Sequence, residues 1–216
     1  MWYKLKRIMI RPNGVEKQVR PTWRLPSAYK EVEWIESSWT QYIDTWMQFT
    51  NNTTVSLDVN ITTAPSGWTW VIWAQKNNVN TSWVIWVNTN AGTYQHWYDY
   101  GDWNSGPLLN QRVIYSNDAT HLYIDWTSVK TISDWWTFTT PVNWTIFKVN
   151  YQNGTWFPYL LSAKLYNCKI YESWTLVRDL VPCYRKADSV IWMYDMVNDQ
   201  FYTNSWTGTF TKWPDV

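Results

Sequence analysis

The chain has 216 residues, a formal net charge of +1 and a composition that is 45% hydrophobic and 19% aromatic. That length suits one ordinary domain with a small appendage and is enough to bury a core. The near-neutral charge argues against nucleic acid or an anionic membrane as partner; no apolar run reaches spanning length, and no signal-peptide pattern opens the chain.

Residues 1–24 read as a basic N-terminal hairpin and linker. YKLKRIMIR and VEKQVRP flank the turn Pro12-Asn13-Gly14, and the proline-bearing PTWRLPS follows. Lys4, Lys6, Arg7, Arg11, Lys17 and Arg20 face a single acid, Glu16. Such a piece is either a solvated hairpin or a docking arm that ties the main domain, 25–216, to a larger assembly.

From Tyr29 onward the text is strands and turns. EVEWIES, TQYIDT, TVSLDVNIT, WVIWAQ, SWVIWVNT and TYQHWYDY come first, then RVIYSN, HLYID, TSVKTI and TIFKVNY. YLLSAKLYNCKIYE, TLVRDLVPCYR, SVIWMYDMV, QFYTN and TFT complete the series. All alternate or are rich in β-branched and aromatic residues, and no stretch of helical length repeats apolar residues at three and four. Turn signals every roughly 8–12 residues predict an all-β fold: a two-sheet antiparallel jelly-roll sandwich.

Tryptophan is out of proportion: 21 residues against 7 glycines, where a usual glycine share of about 7% would give roughly 15. The indoles follow the punctuation. Asp125-Trp126, Asn143-Trp144, Ser173-Trp174 and Ser205-Trp206 stand where Asp-Gly, Asn-Gly or Ser-Gly would signal a turn. A Cβ in a left-handed turn conformation costs about 1–2 kcal/mol, against a net domain stability of roughly 5–15 kcal/mol. Ten positions carry this reading: Trp39, Trp46, Trp73, Trp86, Trp126, Trp144, Trp156, Trp174, Trp206 and Trp213. The expectation is that many are glycines in the living protein, from a source whose code reads UGA as glycine. Trp97 and Trp103, in an aromatic and acidic run, read as genuine. The rival expectation is a real tryptophan-rich surface for sugar stacking or a membrane interface.

Two cysteines are too few for a disulfide framework. A turn centred on Ser173 and Trp174 puts Cys168 near Asp179 and Cys183 near Lys164. The sulfurs then lie roughly 13 Å apart at ~3.3 Å per residue, beyond disulfide reach, so two buried free thiols are expected. The sequons at Asn60, Asn80, Asn143 and Asn153 read as polar loop and strand residues.

LPSAYKEVEWIESSWTQYIDT resembles the opening of laminin-G-like, concanavalin A-like jelly-roll domains of phage and bacterial surface proteins, which run close to LPSEYQEVEYIESTGTQYIDTG. The closing stretch from AKLYNCKIYE to TKWPDV is similar to the same family's end. At Trp39, Trp46, Trp174, Trp192, Trp206 and Trp213 that family usually has glycine. The hairpin HLYID-W-TSVKTI resembles the family's YIDG hairpin. The resemblance covers about residues 25–216, and the basic start is more loosely similar to short N-terminal pieces of phage structural proteins. It implies a virion or extracellular, cell-surface location, reached without a signal peptide.

Some members of that wider fold cleave polysaccharides with paired carboxylates. Glu31 and Glu33 share a strand face about 6.5 Å apart, a spacing within the inverting range. They stand beside Lys30 with no Glu-x-Asp-x-Glu frame, so a solvated strand face is the preferred reading. His96 and His121 lack a nucleophile in a recognisable frame, no Cys/His spacing fits zinc, and no phosphate-cradling loop is present. No catalytic residue, metal or cofactor is expected.

The densest candidate site is QHWYDYGDWNSG: His96, Trp97, Tyr98, Asp99, Tyr100, Asp102, Trp103 and Asn104. Rings offer flat apolar faces, and Asp and Asn offer oriented acceptors and donors, the mixture a sugar ring needs; ordinary aromatic packing is the plainer reading. Asp99, Asp102 and Asn104 could lend oxygens to Ca²⁺, which takes about six to eight. The expected function is a non-enzymatic binding or structural module of a phage virion appendage or surface protein. It would contact glycan, a cell-surface receptor or protein through sandwich-edge loops, and other virion proteins through the N-terminal segment, with no nucleic acid and no membrane. The alternatives are a polysaccharide-degrading enzyme and an architectural virion protein that binds no sugar.

Overall fold

The computed structural model describes residues 25–63, 68–75, 82–88, 93–98, 102–105, 110–118, 120–131, 139–148 and 162–216; for 68–105, Leu122 and Lys130 it describes the backbone alone. The hairpin expected over residues 1–24, and Trp156, lie outside the described residues. Every regular element among them is a strand. In chain order these are β1 (Tyr29–Ser38), β2 (Ile43–Asp44), β3 (Thr53–Thr63), β4 (Trp68–Gln75), β5 (Ser82–Asn88), β6 (Thr93–Tyr98), β7 (Asp102–Ser105) and β8 (Arg112–Asn117). They continue as β9 (His121–Ile124), β10 (Thr127–Thr131), β11 (Thr145–Ile146), β12 (Ser162–Glu172), β13 (Thr175–Arg185), β14 (Ile191–Asp195), β15 (Gln200–Tyr202) and β16 (Thr211–Asp215).

The strands form two antiparallel sheets. The larger runs β10-β9-β8-β3-β12-β1-β13-β14-β15, with β16 added against β1; the smaller runs β2-β11-β4-β5-β6-β7. β3 shows why the larger sheet has one buried face. Val55, Leu57, Val59 and Ile61 alternate with Ser56, Asp58, Asn60 and Thr62, and the first set is buried. β12 answers it with buried Ala163, Leu165, Cys168 and Ile170 along a register that runs from Ser162↔Thr63 to Glu172↔Thr53. Ile43 of β2 and Ile146 of β11 close the core from the smaller sheet, together with Phe49, Trp144 and Phe147. The predicted β-sandwich is the observed architecture.

Several strand boundaries differ from expectation, three of them for a local reason. β7 emerges from a segment read as loop, because pairing along β6 organises its polar residues. β11 stops at Ile146, since Phe147 turns the chain with φ 70°. The last strand is TKWPD rather than TFT; Pro214 is tolerated there on a strand that pairs only with β1.

The tryptophans divide. Trp39 (φ 73°), Trp46 (56°), Trp126 (67°) and Trp174 (67°) do occupy the left-handed region. Trp126 and Trp174 are second members of two-residue turns whose first members, Asp125 and Ser173, both have φ 47°, the signature of a primed hairpin turn. The left-handed geometry does not extend to the other described tryptophan positions. Trp73 lies inside β4, Trp86 inside β5 and Trp213 inside β16 opposite Trp34, so their backbones serve ladders. Trp206 sits in a bend without positive φ. Trp144 is fully buried and stacks on Phe49 at 4.3 Å. Its N–H donates to Met47 O (2.7 Å) and its carbonyl accepts from Thr45 N (3.0 Å), so Asn143-Trp144 bridges strands rather than turning.

Cys168 falls one residue from the expected register, but Cys183 does not lie near Lys164: β13 leaves β12 there and pairs with β1 and β14, while Lys164 pairs with Glu36 and Asn60. Cys168 is opposite Leu180 and Cys183 opposite Trp192; both are free and buried. Burial pushes the Cys183 thiol up to about 12, and the Cys168 thiol is raised further by burial with Asp179 and Asp195 nearby. Neither is a nucleophile near neutral pH.

Candidate functional site

The aromatic and acidic segment forms the edge hairpin of the smaller sheet. β6 pairs β5 on one side and β7 on the other, and β7 is the last strand of the sheet among the described residues. The register sets His96 opposite Asp102, Gln95 opposite Trp103 and Tyr94 opposite Asn104. Directly opposed positions share a face and successive ones alternate. The proposed residues therefore separate: positions 96, 98, 102 and 104 fall on one face of the ribbon, 97 and 103 on the other. Asp99 and Tyr100 lie outside the described residues. An imidazole position opposed to a carboxylate position, with an amide two residues on, suits polar recognition. The indole positions 97 and 103 belong to the opposite face, so one flat ligand cannot use all eight residues at once.

A second constellation, on the larger sheet's outer face, escaped the sequence reading. Arg112 of β8 makes a fork to Asp58 of β3, Nε to Oδ1 and Nη2 to Oδ2 at 2.8 Å each. Glu33 of β1 lies 3.7 Å from Arg112 Nη1, and the guanidinium stacks 3.8 Å from the Tyr166 ring centroid. The hydrogen bond to Asp58 holds the Arg112 pKa above its ordinary value. Four residues from four strands meet here because β8, β3, β12 and β1 are consecutive in the sheet. No local motif announces them. Glu33 thus faces a cation rather than a second carboxylate, and Glu31 pairs in register with Cys183.

Around β13–β15 the same sheet carries an aromatic cluster. Phe201 lies 4.1 Å from Tyr29, 4.7 Å from Tyr194 and 5.1 Å from Trp192. Burial and a hydrogen bond to Asp199 raise the Tyr194 pKa to about 12. Arg185 lies 5.0 Å over Trp192 and pairs with Asp188. This is packing: rings meet rings, and the cation is already partnered.

His121 is the first residue of β9, where the β8–β9 turn ends. Its N–H donates to Asp118 Oδ1 (2.6 Å) and its Nδ1 lies 2.8 Å from Thr120 Oγ1. Asp118 also accepts from Thr120 N (2.6 Å), Thr120 Oγ1 (2.9 Å) and Tyr123 Oη (2.6 Å). A carboxylate so fully occupied organises a turn rather than a ligand. Among the described residues no group of three or more His, Cys, Asp or Glu is arranged to hold a metal ion.

No family model matches the chain, and no curated protein matches it. Among solved structures, a Trypanosoma rangeli sialidase in complex with 2,3-difluorosialic acid (a covalent intermediate) is similar over 57% of this chain, at 13% identity and a TM-score of 0.42. The chain spans 21% of that sialidase's length. A likeness that shallow says nothing of activity or ligand.

Proposed function

We propose that the chain is a non-enzymatic binding module of the laminin-G-like type, carried on a phage virion appendage or related surface protein, from a source in which UGA encodes glycine. It contacts glycan through the β6–β7 edge hairpin. The observation that carries this reading is the register of that hairpin, which opposes His96 to Asp102 and sets Asn104 two residues on along the terminal strand of the smaller sheet. Ring, carboxylate and amide positions on the last strand of the smaller sheet among the described residues are what a sugar's hydroxyls and apolar patch require.

The test is a glycan array on the full chain and on Asp102→Ala and Asn104→Ala. Each substitution is expected to weaken any hit about tenfold, the worth of roughly one hydrogen bond, with Asp102→Ala the larger because its bond is charge-assisted. An array without hits would overturn the glycan assignment in favour of an architectural role. Turnover on a polysaccharide panel, abolished by substituting a carboxylate, would instead make it an enzyme.

A further inference from the structure

We infer that positions 39, 46, 126 and 174 are glycines in the protein its own cell makes, with UGA codons there written as tryptophan. The inference deepens one clause of the reading above but stands on backbone geometry, so it survives if the glycan assignment fails.

Non-glycine residues at positive φ among the described residues are Trp39, Trp46, Asn110, Asp125, Trp126, Phe147, Ser173, Trp174, Ser189 and Asp199. Asn, Asp and Ser have short polar side chains that bond the local backbone and ease this conformation. An indole has no such compensation. Strained residues persist where their surroundings over-determine them, and Phe147 fits that rule: it is fully buried and packs on Phe210 at 5.9 Å. Trp46, Trp126 and Trp174 do not, being 74%, 64% and 69% exposed. Solvent holds nothing in place, so these rings add a Cβ to the turn and return little packing.

The turns themselves are well made. Trp46 N donates to Asp44 Oδ1 at 2.8 Å, an Asx turn. The 125–126 and 173–174 turns close the strand pairs Ile124↔Thr127 and Glu172↔Thr175. Trp39 lies between Ser38 and Thr40, where Gln41 Oε1 accepts from Ser38 N at 2.7 Å. Gly208, next to that bend, shows what the position type demands: φ 79°, with an added Cβ 2.4 Å from Thr40 Oγ1. Four strand-linking bends thus ask for glycine, and all four are filled by the same unsuitable residue. A single systematic misreading accounts for that; four independent substitutions do not.

The nucleotide sequence decides it. UGA is expected at all four codons, and UGG there overturns the inference. Peptide mass spectrometry on protein from its own source gives the second reading, with glycine expected in each of the four peptides and tryptophan refuting it. The third is folding. The chain with all four tryptophans replaced by glycine is compared with the printed chain and with the four-alanine variant. Each glycine is expected to raise the folded-to-unfolded ratio by about 5- to 30-fold before the loss from the extra freedom it gives the unfolded chain, while alanine, which keeps the Cβ, leaves it nearly unchanged. Glycine no better than alanine overturns the strain argument. A glycine variant that folds where the printed chain aggregates supports it.

Discussion

Trp144 and Trp174 are the same side chain in opposite circumstances. Trp144 is fully buried against Phe49, with its backbone bonded across to Met47 and Thr45. Trp174 is 69% exposed at φ 67°, on a two-residue turn. In the first place the indole supplies buried area to the core at a backbone without positive φ. In the second it burdens a conformation that glycine takes freely. The contrast teaches that the tryptophan count is not one phenomenon: backbone φ and burial sort the indoles into core residues and misfits.

The largest break would come at the core end. Trp144→Ala is expected to cost about 3–5 kcal/mol, the range for truncating a buried aromatic, measured by urea unfolding with the slope checked for two-state behaviour. A loss under about 1 kcal/mol would mean that Trp144 does not join the sheets, and the contrast with Trp174 would collapse.

Gly208 inverts the comparison, because there a printed glycine occupies the demanding geometry. Its φ is 79°, and a Cβ would lie 2.4 Å from Thr40 Oγ1 and 2.8 Å from Gln41 Nε2. Gln41 is itself committed, its Nε2 donating to Thr209 O at 2.9 Å, so Gln41 cannot retreat without breaking a bond. Gly208→Ala is expected to cost about 2–4 kcal/mol, from left-handed strain plus overlap. Thermal unfolding would show it, and no change in Tm would mean that this bend is soft.

Asp118 marks a third way to make a turn, by side-chain acceptance. Burial pushes its pKa up, but hydrogen bonds from Tyr123, Thr120 and His121 outweigh that and leave it below the usual carboxylate value. A folded pKa below the unfolded one gives stability that is present above the ordinary carboxylate pKa and lost as pH falls through the folded value. Asp118→Ala is therefore expected to cost about 1–3 kcal/mol near neutral pH, and much less in strong acid. A pH-independent cost in urea titrations from neutral to acid would remove the carboxylate from the explanation.

How much of this was legible in the sequence depends on the range of the interaction. The hairpins around Asp125-Trp126 and Ser173-Trp174 were readable because a turn's chemistry lies within a few residues, and β13 was delimited as TLVRDLVPCYR for the same reason. Asn143-Trp144 misled, since that dipeptide looks like a turn until Met47 and Thr45 come from elsewhere in the chain to bond it. β7 was hidden because, among the described residues, its order comes from pairing with β6. The candidate hairpin's composition was visible, but its division into two faces needed the register. The Arg112–Asp58 fork joins residues 54 apart, and nothing local connects them.

The smallest effect is the most diagnostic. Trp174→Ala removes an indole that is 69% exposed but keeps the Cβ at φ 67°, so its expected change is within about 0.5 kcal/mol, as for a surface substitution. Trp174→Gly removes the Cβ as well and is expected to stabilise by about 1–2 kcal/mol, reduced by the extra backbone freedom glycine brings to the unfolded chain. Only the difference between the two isolates the turn, because both lose the ring equally. If alanine destabilises by more than 1 kcal/mol, the indole makes contacts that matter, and Trp174 would belong with Trp144 rather than against it.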